Sequence, residues 1–255
     1  MAIYAIGIMP LIWRLQVDCE EQHQIWFADD ASTTGSLNSL RSWWDKTIES
    51  GPSYGYYANP SKTVIIVKKE KLEEARALFR NSGVKVTTDA NRYLGSALGT
   101  EASVQDMLRR EVRKWSGTMK KLSDMANIQP HAAYAAFVHG IRNQWSYLVR
   151  TTPDLADLLH PLEETIVGDF LPALIGREVT DEVRELLALP ARLGGLDISI
   201  PTRKSRDEYD ASKTVTQPLV AAIINKESNY DARVEAEQNE TKPVSYTHLT
   251  LPTKA

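Results

Sequence analysis

The chain has one cysteine, Cys19, which excludes an internal disulfide and any cysteine-based zinc site and suits a reducing compartment. It has no apolar run long enough for a membrane span. The most apolar stretch, at the start, covers about fifteen residues against the ~20 that a span needs. It lacks a basic leader and a small-residue cleavage pattern, and it runs into Arg14 and Asp18, so a signal peptide is not expected either. The reading is of a protein with no membrane partner and an intracellular location, cytoplasm or nucleus. The five histidines are scattered without tight ligand spacing. A Gly-rich phosphate loop, a Ser/His/Asp arrangement and an internal repeat are all missing, and with them any sign of a separate hydrolase. What remains is the balance of an ordinary globular chain, 255 residues with 42% hydrophobic and 25% charged, enough to bury a core.

A net charge of −3 is an average over a segregated pattern. Arg109, Arg110, Arg113, Lys114, Lys120 and Lys121 form a basic stretch, whereas acids gather between Asp154 and Asp169. A basic helix face can track phosphates, although a charge run is as often only a solvated surface.

The most informative stretch is Trp26-Phe27-Ala28-Asp29-Asp30. Ile25, Trp26 and Phe27 read as a buried strand of β-preferring residues, and Ala31 to Gly35 as the turn and return path of a hairpin. Two carboxylates at a rigid strand tip suit magnesium, which keeps several waters and takes only one or two protein carboxylates together with substrate phosphates. By itself an Asp-Asp pair is more often a solvated turn or helix cap. In an extended segment successive side chains point to opposite sides, so Asp29 is expected to be the direct ligand and Asp30 the supporting carboxylate. Lys62, just before an apolar run from Val64 to Val67, could neutralise a triphosphate or protonate departing pyrophosphate; its alternative is a surface lysine in a strand-entry turn. Asn59-Pro60 favours a turn that Asn59 can tie to its own backbone.

Phe27-Ala28-Asp29-Asp30 resembles the aromatic-x-Asp-Asp hairpin of reverse transcriptases. Gly55-Tyr56-Tyr57-Ala58-Asn59-Pro60-Ser61-Lys62-Thr63 resembles the Gly...Asn-x-x-Lys-Thr segment that follows it, and Tyr93-Leu94-Gly95 stands where that family has its primer-gripping hairpin. Met1 to Met9 reads as a buried helix similar to the one after the family's Gln-Gly-Asp-Pro segment. Leu189-Pro190-Ala191-Arg192-Leu193-Gly194-Gly195-Leu196 is similar to a stretch downstream of the polymerase in many retroelement proteins. No chemistry attaches to it; Gly194-Gly195 permits a tight turn, with Arg192 as its anchor.

The resemblance implies an RNA-directed DNA polymerase, a nucleotidyltransferase of a retrotransposon. Asp29, Asp30 and Lys62 would be catalytic, and Mg2+ (with Mn2+ as its substitute) would be held by Asp29 and Asp30. Tyr93, Leu94, Gly95, Arg109, Arg110 and Arg113 would meet an RNA or DNA template-primer, and deoxynucleoside triphosphates would be the substrates. The family's earlier aspartate strand and fingers are missing here, so the isolated chain is expected to make little or no DNA. The alternative is a noncatalytic remnant whose helices bind nucleic acid or protein.

The expected fold class is α+β. Residues 1–100 would be the second half of a polymerase palm, an antiparallel sheet with helices on one face. In it, Leu37, Leu40, Trp44 and Ile48 make one helical stripe and Leu72, Ala75 and Phe79 another, and Val84 to Thr88 is a further strand. Residues 101–240 would be an all-α, thumb-like region. Its apolar stripes are Val104, Leu108, Val112, Trp115, Met119, Leu122 and then Tyr134, Phe137, Ile141, Trp145, Leu148. Thr152-Pro153 predicts the cap of a third helix that runs toward Ile175 and bends at Pro161. Val244 to Ala255 resembles a translated sequencing adapter, Glu235 to Lys242 before it is polar and read as disordered, and residues 241–255 are read as an artefactual or disordered tail.

Overall fold

The computed structural model describes residues 2–225; the polar stretch before the tail and the tail itself lie outside the described residues. The fold is mixed α/β and mostly helical, with three small sheets of two strands each among the described residues. The chain divides into two units, Met1–Asn91 with Gly99–Ser103, and Arg92–Leu98 with the residues from Val104 onward.

In the first unit, helix α1 (Ala2–Asp18) is apolar on nearly every side, and only one of those sides is covered. Ile8, Leu11 and Leu15 pack with Cys19 and Trp43 in a small core. Ile3, Ile6, Trp13 and Val17 are exposed, which corrects the expectation of a buried helix. Strands β1 (His23–Phe27) and β2 (Asp30–Thr34) form an antiparallel hairpin, Phe27 opposite Asp30. Trp26 faces the core, whereas Ile25 and Phe27 are 54% and 61% exposed, so β1 is half-buried in alternation and not a buried strand. Ser36 caps α2 (Leu37–Ser50), accepting from the Ser39 amide; such a cap stabilises by about 1 kcal/mol. The buried face of α2 is Trp43, Trp44, Thr47 and Ser50, and Ile48 is exposed, one step round from the predicted stripe.

Strand β3 (Val64–Ile66) is followed by α3 (Leu72–Leu78) and β4 (Lys85–Thr87), and β3 and β4 pair in parallel. Ala75 and Phe79 are buried as their spacing predicts. The single antiparallel palm sheet of the sequence reading is therefore absent among the described residues: hairpin and βαβ crossover are separate sheets.

In the second unit, β5 (Asn91–Tyr93) and β6 (Ser96–Leu98) form a hairpin, so residues assigned by sequence to 1–100 group with the helices that follow. Helix α4 (Glu101–Ala126) buries Leu108, Val112, Trp115, Met119 and Leu122, its predicted stripe. Next come α5 (Pro130–Ala136), a π-helical turn (Phe137–Ile141) and α6 (Asn143–Thr151). Phe137 stands 5.3 Å from Phe170 and 6.2 Å from Trp145 between ring centroids, at the centre of the bundle core. The next helix starts later than predicted. Thr152 and Pro153 lie in a bend, α7 (His160–Thr165) begins with Pro161 in its first turn, and a π-helical turn (Ile166–Phe170) leads into α8 (Leu171–Ile175). A first-turn proline has no amide to waste and so starts this helix without bending it. Helices α9 (Asp181–Ala188) and α10 (Pro201–Ile224) complete the bundle, with α10 lying along α6.

Candidate functional site

The β1–β2 hairpin turns through Ala28 and Asp29 alone, and so starts three residues before Ala31, where the sequence reading begins the turn. Ala28 adopts φ 53° while Asp29 stays at negative φ; a positive φ at the first central residue suits a tight turn matching strand twist. Asp29 is thus exposed at the apex and Asp30, also exposed, opens the return strand. The premise of alternating side chains along an extended segment does not hold for this pair, because one member is a turn residue.

The segment from Gly55 to Thr63 reaches the hairpin through Tyr56. Its ring meets Trp26 edge-on at a centroid distance of 5.1 Å, and Trp26 in turn lies 6.2 Å from Trp43. Gln24 accepts from both indole N–H groups, which fixes the inner face of the hairpin. A side chain on Gly51 would come within 2.6 Å of the Tyr56 carbonyl oxygen, so only glycine lets α2's end approach this closely. Burial is the first cause pushing the Tyr56 phenol above its ordinary range, followed by Tyr4, Asp30 and Asp29. Tyr4 is raised likewise, by burial and then by Asp29. The sequence reading gives neither tyrosine a role of its own, and no spacing links Tyr4 to the acids; only α1's packing does.

A raised folded-state phenol favours the neutral form in the native state. That stability is fully present below the ordinary tyrosine value of 10.0 and is lost as pH rises through the folded-state value. Ultraviolet difference titration should show a late-ionising component that is missing in Tyr56→Phe. An unchanged titration curve in that variant would contradict the placement of Tyr56.

Asn59 caps a short 3-10 turn (Pro60–Lys62), its Oδ1 accepting from the Ser61 amide at 3.0 Å and the Ser61 hydroxyl at 2.8 Å. This is the expected self-tied turn, and it delivers Lys62, exposed, to the entry of β3. Lys62 and the acids share no sheet. Among the described residues no salt bridge engages Asp29, Asp30 or Lys62.

The donor chemistry at the apex fits a hard divalent cation. Two exposed carboxylates on a pinned hairpin, beside phenols whose ionisation they oppose, present negative charge and hard oxygen donors; among the described residues no group of three or more His, Cys, Asp or Glu is gathered at a metal-holding distance.

Tyr93, Leu94 and Gly95 belong to the other unit. Leu94 and Gly95 are the two residues of the β5–β6 turn, with φ 47° and 85°. A leucine in the left-handed region costs roughly 1–2 kcal/mol, so the surroundings must hold it. Tyr147 of α6 does part of this: a side chain on Gly95 would stand 2.9 Å from the Tyr147 ring. Arg109, Arg110 and Arg113 are exposed along α4 as expected, with Arg109 paired to Asp106 at 3.1 Å.

The Leu189–Leu196 motif takes no part in either site. Its turn is capped by Gly194 in the left-handed region, and the arginines that tie the following chain down are Arg142, on Asp197, and Arg184, on the Ile198 and Ser199 carbonyls. No helix among the described residues is long and apolar enough to cross a membrane. No family model matches the sequence, and neither a curated protein nor a solved structure matches it.

Proposed function

We propose that the chain is part of an RNA-directed DNA polymerase of the reverse transcriptase type, joining deoxynucleotides to a primer 3′-hydroxyl on an RNA or DNA template. The observation that carries this reading is the placement of Asp29 at the exposed apex of a two-residue hairpin with Asp30 beside it. Asp29 and Asp30 would hold Mg2+ or Mn2+, which when bound supplies charge neutralisation for the primer oxygen and the leaving group. The chain's own residues do the rest. The indole and phenol layer of Trp26, Trp43 and Tyr56 fixes the apex, so that the two carboxylates keep one geometry. Lys62 offers an exposed ammonium for the triphosphate, and the palm and thumb roles fall to residues 1–100 and the helices from Glu101. The basic face of α4 tracks the phosphates of the template-primer.

Binding separates this reading from chemistry that a portion of a polymerase need not perform. Titration with Mn2+, followed by the loss of its free electron-spin signal, should show a site that Asp29→Asn weakens roughly tenfold or more, in line with the loss of a carboxylate from a small ligand set. Asp30→Asn should weaken it too. If both variants take up Mn2+ as the parent does, the apex is not a cation site and the polymerase reading falls. A noncatalytic helical module is then the reading left, with nucleic-acid binding unchanged in both variants.

A further inference from the structure

Between Arg109 and Lys121 the chain carries six basic residues and one acid, Glu111. That acid is committed. Its side chain is 15% exposed, with Oε2 accepting from Arg92 Nη2 at 2.8 Å and Oε1 from Lys114 Nζ at 2.7 Å. Arg92 comes from β5 and Lys114 from α4, one turn on from Glu111, and all three lie in one unit. The Arg92 and Lys114 side chains stay 53% and 70% exposed. An ammonium has three donors, so Lys114 keeps donors for a further acceptor, and the Arg92 side chain is open to solvent.

We propose that Arg92 and Lys114, gathered by Glu111, form a clamp for the sugar-phosphate backbone of a nucleic-acid duplex, with Glu111 as its positioning residue. The proposal rests on the reading of α4 as a nucleic-acid face. An exposed ion pair by itself contributes little to stability. What a shared carboxylate does is hold two long, rotamer-rich side chains in one place, which removes part of the ordering cost when a phosphate arrives. The β5–β6 turn, locked by Tyr147 against Gly95, keeps Arg92 in register with α4.

Charge counting and positioning predict opposite signs for one substitution. Glu111→Gln removes a negative charge from a basic face, so a surface acting by charge alone would bind an RNA–DNA hybrid duplex more tightly and with a steeper salt dependence. The clamp predicts weaker binding, about threefold to tenfold, as for the loss of one charge-assisted contact. Glu111→Asp keeps the charge and shortens the reach; it should also weaken binding severalfold, and parent-like affinity would overturn the clamp. Arg92→Ala combined with Glu111→Gln should bind no more weakly than Arg92→Ala alone. All are measured by fluorescence anisotropy of a labelled hybrid duplex at two salt concentrations, on variants with the parent's circular dichroism and melting temperature. Reversal of Arg109, Arg110 and Arg113 to Glu tests the underlying reading: parent-like binding there removes the nucleic-acid face altogether. Loss of binding in that variant with tighter binding by Glu111→Gln removes only the clamp.

Discussion

Gly195→Ala should destabilise the helical unit by about 5–6 kcal/mol, a large effect for one methyl group. The added carbon would overlap the Leu189 carbonyl oxygen and lie 2.5 Å from its carbon and 2.7 Å from the Leu186 oxygen. All three are backbone atoms and cannot swing aside. Relief requires the loop to lift, which breaks the bonds from the Leu196 and Ile198 amides to the Leu187 oxygen and from the Asp197 amide to the Leu189 oxygen. Each contributes about 1 kcal/mol. The fully buried Ile198 is drawn out with them, at about 2–3 kcal/mol. Gly194→Ala is the internal control. Its position has open space and φ 84°, so only local backbone strain of about 1 kcal/mol applies. Urea denaturation followed by far-ultraviolet circular dichroism measures both. Equal stabilities of the two variants would mean that the loop is not seated as described.

The 189–196 motif illustrates what sequence could and could not supply. A Gly-Gly pair announces a turn, and a turn is there. Nothing in the letters says that Gly195 sits against the end of α9 with no clearance, because that depends on where Leu186 and Leu189 place their carbonyls. Two further arginines hold the chain that follows the motif, and sequence does not point to them: Arg142 and Arg184 are 55 and 14 residues from their partners Asp197 and Ile198.

The stripes of α4 and of the α5–α6 region were legible because a helix with one buried face repeats its apolar residues every three to four positions. Helix α1 defeats the same logic. It is apolar all round, which signals burial on all sides, yet exposure depends on which neighbours are present, and here only one side has them. The hairpin was legible as an Asp-Asp tip, whereas its turn was misplaced toward Gly35 because Ala28 takes a positive φ that alanine seldom adopts. The parallel β3–β4 pairing spans about twenty residues and is a non-local choice that alternation cannot reveal. At the candidate sites, Asp29, Lys62 and the α4 arginines could be named from residue type. Tyr4, Arg92 and Glu111 could not, because their roles come from partners far away in sequence.

Arg184→Ala should cost about 3–5 kcal/mol, because it leaves a carboxylate and two carbonyls behind it with nothing to replace the guanidinium. Arg184 is 5% exposed. Its Nε and Nη2 donate to the two oxygens of Glu163 at 2.7 and 3.0 Å, and Nη1 and Nη2 donate to the Ile198 and Ser199 carbonyls at 2.7 and 3.1 Å. Four donors in one plane thus join α7, α9 and the strand-like approach to α10. Lysine keeps the charge but not the fork, so Arg184→Lys should recover only part of the loss. A double change, Arg184→Met with Glu163→Leu, removes the orphaned carboxylate and should be more stable than Arg184→Met alone, even though the two carbonyls remain unpaired. If the double variant is the less stable, Glu163 contributes through contacts other than Arg184, and the junction is held by packing instead of by this ion pair. The outcome also bears on the clamp, since α4 keeps its place only while α7 and α9 hold the far side of the bundle core that Trp115 and Met119 share with Leu162 and Leu187.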